Sequence, residues 1–261
     1  MNKTLLQIIR GKTYSYIRNN IINHPYNYQL FQGQLPKQKF EFYLIQDKLF
    51  IYQQFLTLNK IAALLPNTMD VDAIKQTANY IRTVEKKLLQ SYLPKASNSS
   101  IFNQTIQYMA TSNYINHISN INTNNPAILL ARILPCFISY KLTYAYMKFN
   151  NTQNMQNPYS KWILSYNSPE FQQHTNSACE IFNNITTTIN DVNLHQEIYN
   201  NYLQSLIYEK ELFDSAYYLG NEELIIIYRN YRQYLAQHDP YNPTLYSKQI
   251  ENDDEIYNNK L

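Results

Sequence analysis

Three side chains in this sequence have the types and settings that covalent chemistry asks for: Cys136, Asp47 and Glu209. Cys136 falls in the stretch Ala127 to Tyr146, AILLARILPCFISYKLTYAY. There Leu129, Ile133, Cys136, Phe137, Tyr140 and Tyr144 recur at three- and four-residue spacing and share one helical face. The thiol and the Tyr140 hydroxyl stand one turn apart and point the same way. Pro135, which has no N–H to donate, predicts a kink just before the cysteine. Packing alone accounts for a cysteine in such a stretch, since free thiols behave as small hydrophobes. The argument for more comes from the acids. Asp47 interrupts an apolar stripe of Phe40, Tyr43, Leu44, Phe50, Ile51, Phe55 and Leu58, and Glu209 interrupts one of Ile198, Tyr202, Leu206, Phe213 and Ala216. A carboxylate buried without partners is costly, so each acid either has donors or serves a site. A thiol in apolar surroundings is mostly protonated near neutral pH and needs a base, and two acids in different environments can divide the roles.

The elements that must position these groups read as helix after helix. Apolar residues at helical spacing run over 3–23 and stop at His24-Pro25. A turn through Gly33 leads to Pro36, suited to a first helical position, and a long helix follows to about Leu65. A helix near 70–93 carries Glu85 on its inward stripe, and the Pro, Ser and Asn content of 94–100 makes that segment a loop. The next helix spans roughly 101–121, with Tyr114 and His117 as i, i+3 neighbours. The cysteine helix comes after an Asn-rich turn. PYSKWILSY then holds Trp162 and ends at Tyr166, and helices over about 169–190 and 194–218 follow, the second ended by Gly220. A further helix over 222–236 precedes a polar tail. No strand alternation, repeat or linker breaks the chain, so the sequence predicts one all-α domain, a helical bundle over 1–261.

Composition narrows the function. With 22 basic and 19 acidic residues the net charge is +3, and 44% hydrophobic content describes an ordinary globular chain. Neither value points to nucleic acid or membrane as a partner. No uninterrupted apolar run reaches about 18 residues, and the N-terminal residues lack a signal-peptide layout. Two cysteines, Cys136 and Cys179, give no disulfide framework and fit a reducing compartment, so the expected location is cytoplasmic. Three glycines are too few to write a dinucleotide fingerprint or a P-loop.

Four segments together resemble one known family. HPYNYQLFQGQLPKQKFEFYLIQDKLFIYQQF at 24–55 is similar to its HPF…GtLp…QDy pattern. RILPCFISY at 132–140 is similar to its LPC-containing helix, PYSKWILSYNSPEF at 158–171 to its P.Y..WI..Y segment, and YEKELF at 208–213 to its glutamate segment. Order and separations also agree, over roughly residues 5–220. The chain therefore resembles the TenA family, thiaminase II or aminopyrimidine aminohydrolase, in its cysteine-bearing branch and of haem-oxygenase-like helical fold. The resemblance implies hydrolysis at the exocyclic methylene of a 4-amino-2-methylpyrimidine, for thiamin salvage. Ammonia leaves from an aminopyrimidine, or the thiazole leaves from thiamin. It implies Cys136 as the nucleophile, Glu209 as the proton shuttle and Asp47 as the residue that hydrogen-bonds the ring. Tyr114, Tyr140 and Tyr166 would line the ring, with Phe50 and Phe213 as pocket walls. No cofactor or metal is implied, the partner is the small-molecule aminopyrimidine or thiamin, and the assembly expected is a homotetramer.

The sequence departs from the family where Phe50 stands for a common tyrosine, where Leu212-Phe213 stands for Phe-Trp, and near Leu89, where a histidine is often found. Residues from 221 onward extend past the family's usual end. Two other function classes belong to the same kind of fold. A dimetal oxidase would want Glu-x-x-His pairs. Yet none of His24, His117, His174, His195 and His238 follows a glutamate at i+3, and Asp191, four before His195, reads as a helix cap. A binding module would hold a pyrimidine without turnover. Cys179, on an amphipathic helix without companion acids, reads as structural.

Overall fold

The computed structural model describes residues 3–92, 108–120, 122–150 and 156–219, with the side chains of 85, 86, 89, 90, 149 and 150 excepted. Glu85, Leu89, the 94–100 loop, Gly220 and the 222–236 helix thus lie outside what is described. Among the described residues there are helices and no strand: α1 (Leu5–Ile17), α2 (Pro25–Gln32), α3 (Lys37–Leu64), α4 (Thr68–Tyr92), α5 (Met109–Ser119), α6 (Pro126–Asn150), α7 (Ser160–Ser165), α8 (Pro169–Thr186) and α9 (Val192–Tyr218). The expected all-α bundle is the observed architecture.

The helix starts follow from local chemistry. Thr4 and Gln7 close a reciprocal capping box on α1. Ser168 caps α8 with Pro169 behind it, and Asp191 caps α9 through the N–H groups of Asn193 and Leu194, as its position suggested. Two elements differ from the reading of the sequence. After α1 the chain widens into a π-helical turn over Arg18–Ile22, and beyond His24-Pro25 it re-enters a helix, α2, which was not anticipated. The reason is a ring-nitrogen cap: His24 Nδ1 accepts from the Tyr26 N–H at 3.1 Å. Second, α5 starts at Met109, not near 101, because Tyr108 is extended (φ −65°, ψ 151°) and its N–H donates to Gln46 Oε1 at 2.9 Å.

The hydrophobic stripes understate the burial. Residues 40–48 of α3 are buried on every side, including Glu41, Gln46, Asp47 and Lys48. Residues 127–140 of α6 are likewise buried throughout. These two helices form the centre: α3 packs on α4, α5, α9 and α6, while α6 packs on α9, α8, α3 and α5. The helix of α6 runs through Pro135 without interruption. Pro126–Lys148 is long and apolar enough, at a mean hydropathy of 1.3, to cross a bilayer, although polar residues interrupt it. In this fold that stretch is the core helix of the bundle.

Candidate active site

The site forms where the two central helices face α9 and α5. Asp47 comes from the middle of α3, Cys136 from α6, Glu209 from α9 and Tyr114 from α5, and all four are buried. Burial is the first cause of every ionisation shift in this group. It pushes the Glu209 carboxyl up to about 8, opposed by the Tyr114 hydrogen bond and reinforced by the Asp47 charge. It raises Asp47 to about 7, opposed by a hydrogen bond from Tyr43. It also raises the Cys136 thiol well above its ordinary value, and the charges of Glu209 and Asp47 raise it further. The amide of Gln54 acts the other way on the thiol. The three groups singled out in the sequence are thus mutual electrostatic neighbours.

The hydrogen bonds connect these groups into two arms. In one, the Tyr114 hydroxyl donates to Glu209 Oε1 at 3.0 Å, and the thiol of Cys136 interacts with the same carboxylate. Glu209 Oε2 is buried and accepts no hydrogen bond in good geometry. In the other arm the Tyr43 hydroxyl is paired with that of Tyr140 and also bonds Asp47. Tyr43 has one proton, so if it donates to the carboxylate it accepts from Tyr140. Asp47 is thereby tied through Tyr43 to the same α6 turn that carries the thiol.

Aromatic rings complete the walls. Phe50 stacks on Tyr114 (centroids 4.2 Å, 30°), and Tyr140 stacks on Tyr166 (4.6 Å, 22°). Phe213 lies flat against Tyr43 (5.7 Å, 11°) and 6.1 Å from Tyr140. The short helix α7 brings Trp162 edge-on to Tyr140 and Tyr166, and Tyr166 itself is half-buried. A narrow internal cavity of about 10 Å³ lies on this side, lined among others by Ser139, Tyr140, Trp162, Tyr166 and Phe213. The residues expected to line the ring thus fall in two aromatic groups, Phe50 and Tyr114 beside Glu209, and Tyr140, Tyr166 and Phe213 with Trp162 and Tyr43.

Tyr43 and Gln54 were not identified as site residues from the sequence. In the sequence Tyr43 reads as one more position of the apolar stripe. Gln54 stands seven residues, two turns, after Asp47, so it shares that residue's face, but nothing separates it from the adjacent Gln53 without knowing which faces meet. Cys179 lies half-buried on α8 with its thiol raised to about 11, again by burial. Among the described residues no three His, Cys, Asp or Glu side chains converge closely enough to hold a metal ion.

Several known proteins are similar to this chain. The chain is 27% identical over 222 residues to an aminopyrimidine aminohydrolase of Helicobacter pylori, covering 77% of this chain and 93% of that protein. It is 23% identical over 186 residues to the thiamine biosynthesis multifunctional protein ThiED of Corynebacterium glutamicum, 70% of this chain but only 23% of that larger protein. The crystal structure of a TenA family transcription regulator from Silicibacter sp. superposes with a TM-score of 0.70 at 13% identity, over 82% of this chain and 97% of that one, which shows the shared fold. The sequence profile of the TENA/THI-4/PQQC family matches residues 12–218, a span that holds every site residue named above, and the chain belongs to that family.

Proposed function

We propose that this chain hydrolyses 4-amino-2-methylpyrimidine compounds at the exocyclic methylene, releasing an amine and a hydroxymethylpyrimidine. The observation that carries this reading is the buried meeting of one thiol with two carboxyls of raised proton affinity. In the proposed course Glu209 takes the proton of Cys136, and the sulfur adds to the ring carbon. The electron pair displaced from the ring bond moves toward the ring nitrogen, where protonated Asp47 donates a hydrogen bond. Protonated Glu209 gives its proton to the departing amine as the methylene C–N bond breaks. A water then adds at the methylene with Glu209 taking its proton, the C–S bond breaks, and the thiol is restored. The stacked pairs Phe50–Tyr114 and Tyr140–Tyr166 supply flat faces for the ring. Ammonia is the leaving group from an aminopyrimidine; from thiamin the thiazole leaves with the C–N electron pair on its ring nitrogen and takes no proton, so Glu209 releases its proton to water before the hydrolytic step.

Turnover of aminopyrimidine and of thiamin, with the products identified by mass spectrometry, tests this. The expected result is a hydroxymethylpyrimidine from the wild-type chain and a loss of about a thousandfold or more in Cys136→Ala. Equal amine release by the two proteins removes the nucleophile. Binding of the pyrimidine by wild type with no turnover of either compound leaves a ligand-holding module in its place.

A further inference from the structure

Gln54 presents a chemical oddity that the proposed course does not use. Its side chain is fully buried, and neither Oε1 nor Nε2 finds a hydrogen-bond partner of standard geometry among the described residues. A primary amide brings two donors and one acceptor, and burying them unpaired is costly. Methionine or leucine would fill the same space on α3 without that cost. Helix α3 packs directly on α6, and the ionisable group on α6 whose proton affinity this amide lowers is the thiol of Cys136. Around that thiol stand the carboxyls of Glu209 and Asp47, the hydroxyls of Tyr114 and Tyr140, and the amide of Gln54. The carboxylate of Glu209 can only accept from it when ionised, while the amide N–H of Gln54 can donate to it.

We propose that Gln54 holds the thiolate of Cys136, its side-chain N–H donating to Sγ once the proton has left. The step balances simply. The S–H bond breaks with its electron pair kept on sulfur, and the proton passes to Glu209, whose Oε2 carries no competing hydrogen bond. Gln54 then supplies the hydrogen bond that the anion gains and the neutral thiol lacks. Without it, the sulfur would become an anion between two carboxyls in a site that already penalises charge. The amide is placed for this by register: two turns separate it from Asp47, so one face of α3 serves the ring at one level and the sulfur at the next. The proposal rests on the reading of Cys136 as nucleophile, but its test does not require turnover.

The experiment measures alkylation of Cys136 by iodoacetamide against pH, followed by peptide mass spectrometry, in a Cys179→Ala background. In Gln54→Met the half-maximal pH is expected to rise by about one unit and the rate at neutral pH to fall about tenfold. The melting temperature should stay the same or rise, because a buried unpaired amide has been removed. Gln54→Leu should repeat both effects. A change in access alone rescales the rate at every pH and leaves the half-maximal pH unmoved, which overturns the proposal. So does a fall in melting temperature with an unchanged pH profile, the signature of a packing role. Normal amine release by Cys136→Ala would instead defeat the functional reading, while the alkylation profile still decides what Gln54 does to the sulfur.

Discussion

At the residue scale, the site spends stability on proton affinity. Asp47 and Glu209 hold their protons more tightly in the folded chain than carboxyls do in an unfolded one, because burial disfavours the anion. From about pH 4.5 to about 8 the folded state therefore binds more protons than the unfolded state, and stability falls as the pH rises through that window. Glu209→Gln should then stabilise the chain by about 1–2 kcal/mol at pH 8 and hardly at all at pH 4.5, as read by urea unfolding. Equal gains at both values would mean that the carboxyl is not ionising in the folded chain. The same variant should lower turnover by about 10²- to 10⁴-fold and remove the rise in kcat/KM expected of wild type as the pH passes through 7 to 8. These acids were legible in the sequence because a carboxylate on an apolar stripe contradicts its surroundings. Gln54 was not, because an amide beside a second amide contradicts nothing until the sulfur is known to face it.

At the scale of elements, the site depends on turns far from the thiol. Gly33 ends α2 with φ +70°, and a Cβ there would lie 3.3 Å from Asn157 Cγ and 3.4 Å from Pro158 Cδ. Asn157 in turn donates to the carbonyls of Leu30 and Phe31 and accepts from the Tyr159 N–H, while the Tyr159 hydroxyl donates to Leu35 O. This junction sets where α7 begins, and α7 carries Trp162 and leads to Tyr166. Gly33→Ala combines left-handed strain with a tight contact and should cost about 1–2 kcal/mol. It should also raise KM more than it lowers kcat, since it displaces a ring wall and not the thiol. Thermal unfolding and steady-state kinetics read the two effects, and an unchanged KM would detach the junction from the site. The turn at Gly33 could be read from the sequence; α2 could not, since a histidine ring nitrogen is a less familiar cap than Ser or Asp. The start of α5 was misplaced for a related reason, because Gln46, a buried side chain of α3, holds the backbone of Tyr108 and fixes where that helix begins.

At the scale of the whole molecule, periodicity revealed the order of the described helices other than α2, but not which of them were central. A stripe shows one buried face, whereas α3 and α6 are enclosed by neighbours on all sides through the levels that carry Asp47 and Cys136. Groups contributed by α3, α5, α6, α7 and α9 meet in one place, so loosening of the central pair should dissolve the core and the site together. Trp162, the only tryptophan in the chain, is 2% exposed and touches Phe40, Tyr43, Tyr140 and Tyr166, which makes its fluorescence a report on the site itself. Fluorescence and far-ultraviolet circular dichroism should accordingly give one coincident transition in urea. A tryptophan signal lost well before helicity would show that α7 and the aromatic walls unfold on their own, and that the site is less integral to the bundle than its contacts imply. The same titration tests the homotetramer expected from the family resemblance. Exposed Ile8, Tyr14, Tyr28 and Leu164 leave apolar surface for other copies to cover, and if they do, the midpoint must rise with protein concentration by mass action. A midpoint independent of concentration over a hundredfold range would assign the whole of the stability to the single chain.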